Sequence, residues 1–579
     1  MNLTPNGHPA SRLRPCHPDP RVADYLEHRW WSPLTVLDLL DDQIHRRGSA
    51  PAVTDPSNLV ALCGIEPEAL SWQELGARVE DLAAKMHSSG IGPGDVVAVL
   101  MPNSVALTAT YLALWRLGAI AAPMPASYRQ YELTRIVDSA RAVAVVTVNS
   151  LGDRTPSQEA LGVVGQIPSL RTVFTFGPPS SDQALPLDAA PAGETSVETV
   201  RRMSAALPRS VNDCITICWT SGTEAAPKGV PRCHGDWIAI GQAVQDGLET
   251  DPTSVMLNPF PMVNMAGFAT SLLPWLLGGG HLIHHHPLDL AVYLEQLQRY
   301  RVTHTSMPPA ILTMLLQRED LRAAHDLSAL RRVGSGGAPL PPTVVRDWQQ
   351  CLGVEVLNFF GSNEGVCLLG SPADTPDPLI RAEYLPNYGS TTRTWTAGVA
   401  RHTTARLVDP ATGEQITTIG GRGELRLKGP TIFAGYLDGT AASSPFDEDG
   451  YLCSGDIFEL CGRDGEYLRF VDRSKEIIIR GGMNIAPAEI EGILIDHPGV
   501  ADVAIVGYPD DILGEKCCAV VVPRDGDDIT LENLVEFLRA KDVASFKLPE
   551  RLVTRTQLPR NPVGKLLRRE LRADLAHEG

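Results

Sequence analysis

Apolar runs that read as buried strands alternate with longer apolar stretches through the first half of the chain. Residues 95–101 (DVVAVLM), 119–124 (AIAAPM) and 143–148 (VAVVTV) are short, nearly unbroken apolar segments, the pattern of strands covered on both faces. Between the first two lies 104–118 (SVALTATYLALWRLG), apolar on every side and too long for a strand, which predicts a buried helix. Strand, helix, strand in this order points to an α/β layered fold with mostly parallel strands. Residues 35–47 (TVLDLLDDQIHRR) carry an amphipathic helical pattern that starts near Ser32 or Thr35, just after Trp30 and Trp31. The polar, Pro-rich stretch from Met1 to Asp24 reads as a loose arm, and 178–200 as a flexible loop. CITICWT (214–220) is a strand that runs straight into a Ser/Thr/Gly loop. Past Ala400 the segments become shorter and β-like, as in 423–429 and 466–472. Near Asp472 a new unit begins, in which 475–481, 501–507 and 517–523 alternate with helical 488–497 and 531–541. That is a small α/β domain of about 105 residues, within the usual domain range.

Composition narrows the function classes. The chain has 579 residues and a formal net charge of −18, so it repels nucleic acid phosphates and anionic lipid. Hydrophobic residues make up 43%, enough for a sizeable core. The 11 cysteines form no CxxC pair and read as reduced thiols. The N-terminus lacks a signal-peptide apolar stretch, and no run of 18 apolar residues occurs, so a cytoplasmic location and no membrane span are expected.

Chemistry enters at Thr220-Ser221-Gly222-Thr223-Glu224-Ala225-Ala226-Pro227-Lys228-Gly229. Hydroxyls, backbone N–H groups and a lysine on one loop suit phosphate oxygens, although an ordinary turn before a helix has the same look. Pro227 stands where a Walker A loop needs its second glycine, so this is not that motif. Further along come Gly334-Ser335-Gly336-Gly337-Ala338-Pro339 and Asn358-Phe359-Phe360-Gly361-Ser362-Asn363-Glu364-Gly365. Tyr451 to Asp456, the long stretch Asp472 to Glu491, and Leu558 to Arg569 follow. Each alone is a turn, a strand edge or a solvated charge.

Taken in order, these segments resemble the adenylate-forming superfamily of acyl-CoA synthetases, luciferases and peptide-synthetase adenylation domains. The likeness covers roughly residues 50–570. It implies a large N-terminal layered α/β domain with a β-rich subdomain (1–472) and a small mobile C-terminal α/β domain (473–579). It further implies that Thr220, Ser221, Gly222, Thr223 and Lys228 cradle phosphates. Gly336, Gly337, Ala338, Pro339, Asn358, Phe359, Phe360, Gly361, Ser362 and Asn363 would border the adenine, with Phe360 stacking on it. Glu364 would hold Mg²⁺, Asp456 the ribose hydroxyls, and Arg473 the nucleotide. Lys475 would be the hinge, Gly481 and Gly482 the pantetheine passage, and Lys565 the lysine bridging acid and phosphate. By this likeness Thr223, Glu364, Lys475 and Lys565 would form the catalytic set. The chain departs from the usual pattern at Glu224-Ala225, where Thr-Gly is usual, and at Asn363, where threonine is usual.

By the same likeness the acid pocket falls near Met262, Asn264, Met265, Phe268, His304 and Gly336. Asn264 would meet a polar group on the substrate or be satisfied by backbone. Met262, Met265 and Phe268 would form an apolar wall or plain core. His281, His284, His285 and His286 lie in a strand-like run where neighbours face opposite ways, so they read as a surface or edge cluster rather than a metal site. His234 reads as structural or pocket-lining.

The implied activity is ATP-dependent formation of an acyl-adenylate, then a thioester with coenzyme A. The alternatives are a stand-alone adenylating enzyme serving a free carrier protein or another nucleophile, and a non-catalytic nucleotide-binding relative.

Overall fold

The computed structural model describes residues 16–220, 227–285, 287–437, 444–473, 476, 478–480, 483–485, 487–510, 513–524, 528–541, 543, 547–560 and 566–577. The chain forms two compact units. One comprises Met1–Ala382, Thr394–Thr404 and Lys428–Pro445, and the other Glu383–Arg393, Ala405–Leu427 and Phe446–Gly579.

The first unit holds two sheets. In one of seven strands, Thr172–Phe176, Ala144–Val148, Val96–Leu100, Ile120–Met124 and Cys214–Trp219 run parallel in that order. Gly229–Cys233 closes its edge antiparallel to Cys214–Trp219. The other has eight strands. Its centre runs parallel through Glu355–Gly361, Arg332–Gly336, His304–Ser306, Val255–Asn258, His281–His284 and Pro51–Thr54. Cys367–Gly370 and Ala69–Ser71 are antiparallel edges.

The apolar helix Val105–Arg116 explains why both sheets belong to one core. Every residue from Val105 to Trp115 is buried. Its Thr108 hydroxyl meets His284 Nε2 of the eight-stranded sheet at 2.7 Å. Two turns on, Trp115 Nε1 donates to Ile215 O of the seven-stranded sheet at 2.8 Å. Ser104 starts the helix by accepting from Leu107 N.

The N-terminal segment is not loose where it is described. Asp19–Glu27 is a helix, and Tyr25 and Trp31 are buried. Thr35, rather than Ser32, caps Val36–Arg47 through a capping box with Asp38. The stretch 178–200 is not simply a loop either: it contains the strand Leu185–Pro186 and the start of helix Glu194–Ala206. That helix buries only Val200 and Ser204, so it lacks the apolar stripe that would announce it. An ion pair between Arg201 and Glu80 ties it to helix Trp72–Ser88.

The second unit carries a five-stranded sheet in the order Leu385–Pro386, Tyr467–Arg473, Leu452–Cys461, Arg422–Lys428 and Thr404–Val408. A further sheet joins Met483–Ile485, Ile478–Arg480, Gly514–Pro523 and Val500–Asp510, with Arg551–Thr554 parallel to Gly514–Pro523. Strand alternation distributes its two faces. Val503 and Ile505 pack with Ile490, Leu534 and Leu538, whereas Ala504 and Val506 pack with Leu571 and Leu575.

Gly235 marks where the N-terminal segment rests on helix His234–Leu248, because a Cβ there would lie 2.5 Å from the Trp31 ring. Gly235→Ala should therefore cost about 1–3 kcal/mol. It should lower the thermal midpoint and increase quenching of tryptophan emission by acrylamide. Unchanged values of both would mean that Trp31 is not packed there.

Candidate active site

Parallel sheets offer ligands the carboxyl ends of their strands. In the eight-stranded sheet those ends include Gly336 and Gly361. Beyond Gly336 the residues Gly337, Ala338 and Pro339 are exposed. Asn358 is tied down on the same strand as Gly361, its Nδ2 donating to Ala382 O at 2.8 Å. After Gly361 the chain turns sharply, with Gly365 N donating to Ser362 O at 3.0 Å and Ser362 N to Val366 O at 3.1 Å. Gly365 has φ +105, and a Cβ would sit 1.9 Å from Thr431 O, so only glycine fits.

Asn363 and Glu364 project from this turn and gather the other motifs. Asn363 Oδ1 accepts from Met265 N at 2.8 Å, while its Nδ2 donates to Trp219 O at 3.3 Å. One amide thus joins the turn to the 261–268 segment and to the strand that leads into Thr220. Thr220 N donates to Lys228 O at 3.0 Å, which brings residues 220 and 228 together. Tyr436 hydroxyl donates to Glu364 Oε1 at 2.8 Å, and Lys228 Nζ lies 5.2 Å from the centroid of the same ring. Phe433 N holds the Glu364 carbonyl at 3.0 Å. Thr220, Lys228, Asn363 and Glu364 therefore share one locality. Ser221, Gly222 and Thr223 lie outside the described residues.

With that geometry, the chain matches the AMP-binding enzyme family over residues 40–437 and the AMP-binding enzyme C-terminal domain over 489–565. The chain belongs to the AMP-binding enzyme family. It is 33% identical to 2-hydroxy-7-methoxy-5-methyl-1-naphthoate--CoA ligase of Streptomyces carzinostaticus, over 89% of this chain and 90% of that one. It is 30% identical to medium-chain fatty-acid--CoA ligase of Escherichia coli (strain K12), over 96% and 93%. The structure of the anthranilate CoA ligase AuaEII in complex with anthranoyl-AMP superposes with a TM-score of 0.77 at 20% identity, covering 94% of this chain and 98% of that one. This AMP-binding enzyme is thus a ligase of the AMP-forming, acyl-CoA synthetase type.

Several expected pocket residues of this AMP-binding enzyme serve the scaffold instead. Phe268 is fully buried among Tyr111, Trp115 and Trp237 and is core, not pocket wall. Met262 is also fully buried, with its backbone held by Asn103 and Tyr111. Asn264 spends its side-chain oxygen on Ala266 N and Gly267 N, capping a short helix. His304 opens its strand in register with Arg332 and Glu355, at the amino ends and away from Gly336. Burial lowers its pKa to about 4, and its Nδ1 contacts Thr303 Oγ1. Met265 remains half-buried beside Gly361. The histidine run is interior rather than edge: its strand lies between two others, His284 is held by Thr108, and burial lowers its pKa to about 3. His285 is buried against Gln296. His286 lies outside the described residues. His234 accepts from Val36 N and is structural.

In the other unit Asp456 is buried on Leu452–Cys461, opposite Arg473, and Ser454 hydroxyl accepts from its N–H at 3.2 Å. The Arg473 side chain, Lys475, Gly481, Gly482 and Lys565 lie outside what the structure describes.

Among the described residues, Glu364 and a buried trio offer metal-ligand atoms. Glu364 has one oxygen on Tyr436 and, among the described residues, no cationic partner, which suits a hard cation such as Mg²⁺. His17, Cys233 and Asp236 bring ligand atoms within 4.8 Å of one another. They fit an ion pair better. Asp236 Oδ1 lies 3.0 Å from His17 Nε2, and Oδ2 lies 3.4 Å from Arg232 Nε. Burial opposes the charge on His17, but Asp236 outweighs it and holds the imidazole up at about 9. A protonated ring has no lone pair for a metal. Burial likewise opposes the Asp236 carboxylate, yet His17 and Arg232 hold it below the usual range.

The raised His17 value sets a pH dependence. Its contribution is complete below the ordinary imidazole value near 6.5 and disappears as pH rises through about 9. The gap in thermal midpoint between wild type and His17→Gln should be widest near pH 6 and close as pH rises past about 9. A constant gap across that range would contradict the pair.

Proposed function

We propose that the chain joins an apolar carboxylic acid, aryl or medium-chain, to AMP and passes the acyl group to coenzyme A. What supports this reading is the meeting of Thr220, Lys228 and Glu364 around Tyr436, in a family whose members above are named for naphthoate and medium-chain fatty acid ligation. A carboxylate oxygen attacks the α-phosphorus of ATP, the bond to the β-phosphate breaks, and pyrophosphate leaves. A thiol sulfur then attacks the acyl carbon, the bond to AMP breaks, and the thiol loses its proton. The work is positioning and charge neutralisation. Lys228 and the loop hydroxyls bind the phosphates, and Phe360 and residues 336–339 border the adenine. Bound Mg²⁺ would be held by Glu364 and would neutralise phosphate charge. Asp456 and Arg473 orient the ribose and nucleotide. Lys565 bridges acid and phosphate in the first step. Residues 473–579 turn about Lys475 between the steps, bringing Gly481 and Gly482 to the thiol, a gating motion.

Pyrophosphate release should depend on one acid class in a panel of aryl, alicyclic and fatty acids, with acyl-CoA formed when coenzyme A is present. Acyl-adenylate that persists with coenzyme A would point to a carrier protein or another nucleophile. No release with any acid would favour a non-catalytic relative. Lys565→Ala should abolish adenylation, by at least about 100-fold, and spare thioester formation from supplied acyl-adenylate. Loss of both halves would contradict its assigned role.

A further inference from the structure

Three consecutive carbonyls, those of Gly429, Pro430 and Thr431, are each held by a different side chain. Tyr25 hydroxyl donates to Gly429 O at 3.2 Å, Trp31 Nε1 to Pro430 O at 2.9 Å, and Arg232 Nη2 to Thr431 O at 2.7 Å. Two of these donors come from the N-terminal segment. The third lies on Gly229–Cys233, the strand that leaves the phosphate loop.

The pinned segment leads directly to the groups that hold Glu364. Two residues beyond Thr431, Phe433 N binds the Glu364 carbonyl, and the Tyr436 hydroxyl binds its carboxylate. Phe433 and Tyr436 also pack edge to face at 5.0 Å. Arg232 reaches the other side of the same turn, because Nη1 donates to Asn363 O at 2.8 Å. Its planar fork thus spans the two chain segments between which Glu364 is set, which a lysine ammonium cannot reproduce in the same geometry. Arg232 is fully buried. Burying a guanidinium is costly unless it is paired, and Asp236 supplies the countercharge. Asp236 is in turn held by His17, whose backbone exchanges hydrogen bonds with the Asn212 side chain.

We infer that Tyr25, Trp31 and Arg232 form a clamp on Gly429, Pro430 and Thr431 that positions Tyr436 and Glu364 for the nucleotide's metal. These three are positioning residues, and the inference rests on the proposed role of Glu364.

The test compares Trp31→Phe, which keeps a smaller aromatic ring and removes one donor, with Arg232→Lys and Glu364→Gln. Two quantities are read at a temperature well below each thermal midpoint. One is the Mg²⁺ concentration for half-maximal pyrophosphate release. The other is Mn²⁺ affinity, by electron paramagnetic resonance, with a non-hydrolysable ATP analogue. Loss of one hydrogen bond should weaken both metal constants about 3–10-fold in Trp31→Phe. Arg232→Lys should weaken them further, and the KM for the acid should stay unchanged in both. If Glu364→Gln weakens the metal constants while folded Trp31→Phe and Arg232→Lys keep wild-type values, the clamp is overturned and the role of Glu364 stands. If Glu364→Gln also keeps wild-type values, the role of Glu364 falls, and the clamp falls with it.

Discussion

A carboxylate with no access to water lies between an imidazolium and a guanidinium, and much of the first unit is arranged around it. Asp236 could not stay charged there alone, since desolvating one ion costs several kcal/mol. Its two partners must therefore arrive in fixed positions. His17 comes from the N-terminal segment and Arg232 from the strand Gly229–Cys233. The same carboxylate also accepts from Cys233 N, which starts helix His234–Leu248. One buried charge thus fixes a helix start, a strand edge and a distant segment in a single arrangement. The remaining nitrogens of Arg232 carry that arrangement to the turn bearing Glu364.

The scaffold was largely legible because its cause is local. Apolar runs such as 95–101 and 119–124 became the central parallel strands, and the helix between them is buried on all sides as its composition demands. Glu364 and Lys228 were singled out by the likeness of their segments to family motifs, since each alone reads as a turn or a solvated charge. Tyr436, Arg232 and Asp236 were not. Arg232 in Val-Pro-Arg-Cys looks like an outward-facing strand residue, and its partners lie 131 and 199 positions away. Such pairings leave no periodic trace in a sequence.

Misplaced residues share a different cause. Phe268 and His304 sit on elements that do approach the site, but helical phase turns Phe268 into the core and His304 lies at the amino end of its strand. The histidines at 284 and 285 were read as part of a surface or edge cluster because neighbours along a strand face opposite ways. In the interior a threonine hydroxyl and a glutamine amide satisfy the rings, while burial lowers the pKa of both. Asn264 shows the competition directly: its side chain was free to meet a substrate until the short helix after it required a cap.

The clamp joins residues that are very far apart in time as well as in number. Tyr25 and Gly429 are separated by 404 positions, and Trp31 and Pro430 by 399. At about 5–20 residues per second of synthesis, the N-terminal helix leaves the ribosome about 20–80 seconds before its acceptor carbonyls exist. During that interval Tyr25 and Trp31 have no native partner on the 429–431 segment, and their aromatic surface is available to chaperones. The contact between the first-made segment and residues 429–431 therefore waits for carbonyls made late in the chain's synthesis.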